Sequence, residues 1–220
     1  MKALYACILL ALLGAVVAPA ETINFDNAKP GALPPGWTSA MTHNGGAPRW
    51  EVRADDTAPS KPNVLAQLSD DRTSGRFPLA IYDKASVKDG EVSVKCKPIS
   101  GRVDQACGLV WRYRDTNNYY IVRSNALENN IVLYKVENGE RKSIAPKGTA
   151  SRTYGVKHPV PKAAWSEMRV SFSGARIAVA FNGKQVLEAE DNTFGDAGKV
   201  GLWTKADSVT YFDDFALTQR

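Results

Sequence analysis

Five side chains near the middle of the chain have types and spacings suited to gripping a ligand: Arg112, Arg114, Tyr119, Arg123 and Lys135. Alternate residues of a β-strand point to the same side. Arg112 and Arg114 therefore share a side, as do Tyr119 and Arg123. A guanidinium presents paired N–H donors that match carboxylate or sulfate oxygens, and a tyrosine ring adds a flat apolar surface. The grouping predicts non-covalent capture of a polar, anionic ligand. The same residues would also suit the solvated face of an ordinary antiparallel sheet.

Groups that make or break bonds are not arranged for it. The sequence has two histidines, His43 and His158, both in stretches that read as loops. No Gly-x-Ser-x-Gly elbow accompanies them, so a nucleophilic triad has no framework. Glu188-Ala189-Glu190-Asp191 is acidic but falls where a strand enters a loop, and it reads as a solvated turn. Asp213 and Asp214 are neighbours in a strand and so face opposite sides. Beyond Cys7, the cysteines are Cys96 and Cys107, with no C-x-x-C motif for redox work or a zinc ribbon. Strand alternation turns both sulfurs to one side, at the two ends of the loop 97–106. In an exported chain an even pair predicts one disulfide, Cys96–Cys107; two buried free thiols are the alternative.

The elements that must position these residues begin with the stretch Cys107–Val136. It reads as three antiparallel strands, Gly108–Arg114, Tyr119–Ser124 and Asn130–Val136, joined by the turn Asp115–Asn118 and the loop Asn125–Asn129. Asn138-Gly139 follows, a pair that tolerates positive φ in a hairpin turn. The four-residue turn pairs Arg114 with Tyr119 and Tyr113 with Tyr120. Leu109, Trp111, Tyr113, Tyr120, Val122, Val132, Tyr134 and Val136 then form one apolar face, ready to pack on a second sheet. The cationic residues lie on the other face, among Val110, Ile121, Ile131 and Leu133. A slip of one residue would exchange the two sets.

Elsewhere short alternating runs recur, such as Met168, Val170, Phe172 and Ile177, Val179, Phe181, separated by Ser173-Gly174 and Asn182-Gly183. No apolar pattern of period 3.6 persists beyond the first twenty residues. The fold class expected is all-β, an antiparallel β-sandwich. Residues 1–20 read as a signal peptide: Met1-Lys2, an apolar run Ala6–Val17, and Ala18-Pro19-Ala20 before a cleavage point. A retained anchor is the alternative, though the run is shorter than the ~20 residues a bilayer needs. Residues 21–220 then form one domain, periplasmic or secreted, with no membrane span after cleavage, and a monomer is expected. The formal charge of +5 is a modest excess with no dense Lys/Arg run, which argues against nucleic acid as a partner.

A resemblance is carried by Gly198–Thr204 (GKVGLWT), Ser208–Phe215 (SVTYFDDF), Trp165–Val170, Gly108–Tyr113 (GLVWRY) and Asn118-Tyr119-Tyr120. Together these resemble the concanavalin A-like lectin/glucanase jelly roll, and within it the exported bacterial domains grouped as 3-keto-disaccharide hydrolases or domain of unknown function 1080. The resemblance covers most of Phe25–Leu217. It implies sugar binding or processing, and so a carbohydrate partner for the cationic face. The sandwich glucanases carry Glu-x-Asp-x-x-Glu on one strand, and this sequence lacks it; two flanking carboxylates are the usual need of glycoside hydrolysis. The expectation is therefore a carbohydrate-binding domain without evident catalysis. A glycoside or 3-keto-glycoside hydrolase on the same concave face, or an adhesion module without a small ligand, are the alternatives. No cofactor is expected, except that in many sugar-binding sandwiches the first and last strands hold a structural calcium. Here Asp26 with Asp213 or Asp214 would be its ligands, backbone carbonyls completing the oxygen shell; acids that merely accept hydrogen bonds from loop amides are the alternative.

Overall fold

The structure is a computed structural model describing residues 20–220; the expected leader lies outside the described residues apart from Ala20. No helix occurs among the described residues. The strands in chain order are β1 (Glu21–Ile23), β2 (Trp37–Thr42), β3 (Trp50–Ala54), β4 (Asn63–Gln67), β5 (Phe77–Val87), β6 (Gly90–Ser100), β7 (Ala106–Asp115) and β8 (Asn118–Asn125). They continue as β9 (Asn130–Glu137), β10 (Glu140–Ile144), β11 (Val156–Lys157), β12 (Ser166–Ser173), β13 (Arg176–Phe181), β14 (Lys184–Glu190), β15 (Gly198–Trp203) and β16 (Val209–Gln219). Sheet A has the order β14-β13-β12-β6-β16-β4-β3, with β1 also on β16. Sheet B has the order β10-β9-β8-β7-β15-β5-β2, with β11 also on β9. Both are antiparallel, and together they make the expected jelly-roll sandwich.

Period-two alternation builds the core between the sheets. Sheet A turns Val92 and Val94 of β6, Met168, Val170 and Phe172 of β12, and Ile177, Val179 and Phe181 of β13 inward. Sheet B answers with Leu109, Trp111, Tyr120, Val122, Leu133 and Leu202. Trp111 stacks on Tyr120 beside it at 5.3 Å and on Phe172 of the facing sheet at 5.8 Å between centroids. The Cys96–Cys107 disulfide is present and joins β6 to β7, one strand from each sheet, across 6.4 Å between Cα atoms. Asp207 fixes the intervening loop by accepting the backbone N–H groups of Arg102, Val103 and Asp104.

Sheet B is also buried on its outer side. Phe77, Leu79, Ile81, Val110, Tyr119, Ile121, Val132, Tyr134, Val136 and Trp203 form a second apolar cluster there. Two expectations about the faces are corrected by the register. Trp111 pairs with Tyr120 and Asp115 with Asn118, with an irregularity between them; Arg112 takes φ +47° at that bulge. The bulge turns Tyr113 outward and Arg112 inward, opposite to the regular alternation expected of them. On β9, Leu133 pairs with Val122 and Tyr134 with Ile121, so Ile131 and Leu133 face the inner core while Val132, Tyr134 and Val136 face out. Lys135, expected outside, lies on the inner side at the rim.

Emptying the site of Trp111 leaves a void lined from both sheets. Trp111→Ala is expected to lower unfolding free energy by about 3–5 kcal/mol, read as a lower urea midpoint with unchanged slope. A loss below about 1 kcal/mol would mean the inner core does not centre on this ring.

Candidate functional site

The structure divides the five predicted ligand residues into two groups. Arg112, Arg114 and Lys135 gather around the 191–197 loop. Arg112 is 1% exposed. It donates to Lys88 O (3.0 Å), Phe194 O (2.7 Å), Gly174 O (2.9 Å) and Asp89 Oδ1 (3.2 Å). It is a nail through three loops and presents no free donor to a ligand. Arg114 pairs with Asp196 at 2.9 Å on the surface. Lys135 donates to Asp191 (3.0 Å) and Thr193 (2.6 Å). Burial raises the Asp191 pKa, but hydrogen bonds from Tyr120, Thr193 and Lys135 outweigh it and hold the carboxyl below its usual range.

Tyr119 and Arg123 lie on the outer face of sheet B. Sheet B curls so far that its margins meet over this face. Tyr119 donates its hydroxyl proton to Thr42 Oγ1 at 2.6 Å, because Thr42 gives its own to Thr116 O. His43, just past β2, sets its ring nitrogens 2.7 Å from Gly75 O and 2.8 Å from Gly139 O, which belongs to the β9–β10 turn. Inside this curl one row crosses the sheet: Leu79, Trp203, Gly108, Arg123 and Val132. A Cβ on Gly108 would lie 3.0 Å from the Trp203 side chain. Glycine is what lets the indole lie flat across β7.

Around that row sits a cluster that alternation did not reveal. The Arg141 guanidinium of β10 lies 4.5 Å from the Tyr134 ring centre, 4.8 Å from Phe77 and 5.8 Å from Trp203. Arg123 donates to Asn130 Oδ1 (2.6 Å), Glu128 Oε2 (2.8 Å) and the hydroxyls of Tyr134 and Tyr154 (both 3.1 Å). Burial works against the Arg123 charge, but Tyr134 and Glu128 more than offset it, so its pKa lies above the ordinary arginine value. Two donors here are buried with no partner among the described residues, Arg123 Nε and Arg141 Nη1, while the Trp203 Nε1–H is directed at the Tyr119 hydroxyl. Buried polar groups are nearly always satisfied; Trp50 Nε1, Arg53 Nε and Trp111 Nε1 lack a partner among the described residues away from this face as well, and what sets this cluster apart is a guanidinium enclosed by three aromatic rings. Lys205 and Asp104, paired at 2.7 Å, and the half-exposed Tyr154 stand beside the cluster. A signal for Arg141 was present in the sequence: it follows Asn138-Gly139 and sits opposite Val136. It was hidden by placing Val136 in the inner core.

A family model described as the 3-keto-alpha-glucoside-1,2-lyase-like domain matches residues 27–218. The chain belongs to this family. Among solved structures, the lyase-like domain resembles carbohydrate-binding module CBM66 from Bacillus subtilis, at 21% identity over 82% of this chain and 93% of that one, TM-score 0.62. It also resembles the cellulose-induced protein Cip1, at 12% identity over 90% and 96%, TM-score 0.59. A Bacillus subtilis protein of unknown function with a galectin-like fold aligns at 16% identity over 83% and 89%, TM-score 0.54. At these identities the likeness is one of fold. No curated protein matches the chain.

Each of the acids expected to hold calcium has hydrogen-bond or ion-pair partners within the protein. Asp26 accepts Asn63 N–H (3.1 Å), and Asp214 pairs with Lys95 (2.9 Å). Asp213 accepts Ser60 N–H (2.8 Å), Ser60 Oγ–H (2.9 Å) and Asp214 N–H (2.7 Å). Among the described residues no group of three or more His, Cys, Asp or Glu is placed to hold a metal ion.

Two outcomes follow from these positions. Arg112→Ala is expected to cost about 3–5 kcal/mol, since it empties a buried guanidinium site and strands the buried Phe194 carbonyl along with those of Lys88 and Gly174, while Arg114→Ala should stay within about 0.5 kcal/mol; thermal melts of both variants compare them directly. Burial raises the Asp213 pKa to about 6 against the three hydrogen bonds. Between the unfolded value of 3.8 and about 6 the folded state keeps a proton that the unfolded state has lost, so stability falls as pH rises through this window and then levels. The contribution is on the order of 2–3 kcal/mol. Asp213→Asn should flatten that part of the stability–pH curve, and an unaltered curve would reject the assignment.

Proposed function

We propose that the protein is an exported carbohydrate-binding domain, periplasmic or secreted, whose site is the curled outer face of sheet B. One observation carries this reading: the Arg141 guanidinium lies among the rings of Phe77, Tyr134 and Trp203 with its Nη1 unpartnered among the described residues, and Arg123 Nε beside it is unpartnered too. Sugars need both parts, a ring face for their C–H surface and fixed N–H donors for their oxygens. The family and the fold shared with a carbohydrate-binding module support it. Export is supported by the leader-like residues 1–20 and by a disulfide, which belongs to oxidising compartments. An anionic sugar suits the site best. Arg141 has aromatic neighbours but no carboxylate partner among the described residues, and a uronate would supply one.

Titration of the chain 21–220 with cellobiose and with digalacturonate tests this. Digalacturonate should bind more tightly, and its affinity should fall as salt rises. Arg141→Met keeps the apolar stem and removes the charge; it should weaken digalacturonate by about 10- to 100-fold with the melting temperature retained. Full affinity in Arg141→Met and Trp203→Phe together would place the site elsewhere.

A second reading, elimination on a 3-keto-glucoside, is favoured by the family and by the same donors. In such a step a base takes the C2–H proton, the C1–O bond breaks with its electron pair leaving on the departing sugar's oxygen, which takes up a proton, and a C1=C2 double bond forms. Negative charge gathers on the ketone oxygen meanwhile, and preorganised N–H donors stabilise it. Release of the leaving sugar from a 3-keto-disaccharide, lost in Arg141→Met, would establish this reading over binding alone.

A further inference from the structure

Tyr154 occupies an unusual place. It is 49% exposed, yet its hydroxyl reaches the hydroxyl of Tyr134 and lies 3.1 Å from Arg123 Nη2. Those two partners are fixed: Tyr134 is 2% and Arg123 1% exposed, and Arg123 is braced by Asn130 and Glu128. Tyr154 itself arrives on the connection between β10 and β11, in which residues 147–152 are all exposed. That segment bonds mainly to itself, through Thr149 N–H to Pro146 O and Thr153 N–H to Ala150 O. At its start Lys147 is tied to β14, by its N–H to Glu188 O at 2.7 Å and by an exposed ion pair with Glu190, the latter worth little. Gly148 and Gly155, both at positive φ, flank the segment. A Cβ on Gly155 would strike Ile131 O at 2.3 Å, whereas one on Gly148 would meet nothing. The chain is thus clamped against β9 at Gly155, while at Gly148 it stands clear of its neighbours just past the Lys147 tie.

A buried, braced pair of donors facing an exposed, lightly tethered phenol has the form of a receptor with an exchangeable occupant. We propose that Arg123 and Tyr134 form a hydroxyl-binding subsite, that the Tyr154 phenol fills it in the free protein, and that a saccharide hydroxyl displaces it. This rests on the saccharide reading above. The displaced contact lowers the apparent affinity of any ligand that uses the subsite, because only the fraction of molecules with Tyr154 withdrawn is competent.

The experiment uses the chain 21–220 and the Tyr154→Phe and Tyr154→Ala variants, each titrated with cellobiose and digalacturonate, with trypsin cleavage after Arg152 as a second readout. Tyr154→Phe keeps the ring and removes both hydroxyl contacts, to Tyr134 and to Arg123, so the bound sugar is expected to gain about three- to tenfold in affinity. In the unaltered protein a saturating sugar should speed cleavage after Arg152, and in Tyr154→Ala cleavage should be fast with or without sugar. If the unaltered protein binds and the variants bind equally or more weakly, Tyr154 is not a competing occupant and the proposal fails while the saccharide reading stands. If sugar binds but slows cleavage after Arg152, the segment closes over the ligand instead of yielding to it, and the proposal fails in the same way. If neither sugar binds any of the three proteins, the saccharide reading falls and the subsite falls with it.

Discussion

Sheet B is buried on both of its faces, and most of the molecule's chemistry follows from that constraint. An antiparallel sheet usually spends one face on the core and gives the other to water. Here the inner face packs on sheet A and the outer face curls over Phe77, Tyr134 and Trp203. A sheet enclosed twice has no solvated side on which to leave its charges. Its arginines must therefore be satisfied by carbonyls, carboxylates and aromatic rings, as Arg112, Arg123 and Arg141 are to different degrees. Arg112 uses its whole fork on protein groups. Arg123 and Arg141 do not, and the difference separates a structural arginine from one that can receive a ligand.

The same constraint explains what could be read from the residues. The strands 108–114, 119–124 and 130–136, the hairpin at Asn138-Gly139, the Cys96–Cys107 bridge and the family were all legible. So was the inward position of Leu109, Trp111, Tyr120 and Val122, because Trp111 and Tyr120 anchor the pairing between β7 and β8. Facing was lost where alternation carries no phase. Ile131-Val132-Leu133-Tyr134 is apolar at every position, so either register buries a good face. Lys135 was the one charged residue in the strand as read, Asn130–Val136, and it misled: its ammonium reaches Asp191 from the inner rim, as long side chains do when their stems are buried and their ends find a charge. The bulge at Arg112 had no signal, since positive φ in a non-glycine residue is set by the surrounding loops.

The candidate site was thus half visible. Arg123 and Tyr119 were found for a reason that holds, their shared outward face. Arg141, Trp203 and Tyr154 are brought to them by long-range curling, which joins residues far apart in the chain and leaves no local pattern. Arg112, Arg114 and Lys135 were grouped with them by charge alone, and they serve the 191–197 loop instead.

The place of β16 in sheet A has a bearing on how the chain assembles. It is the last strand to be made, yet it lies inside the sheet, with β6 on one side and β4 on the other. Until it docks, β4 and β3 have no edge to join, and Phe212 and Phe215 are missing from the core. A chain emerging from its amino terminus therefore cannot close this sandwich step by step. The sheet closes only once β16 has docked between β6 and β4, and pairings across nearly the whole sequence, such as Glu21 with Leu217, make closure slow.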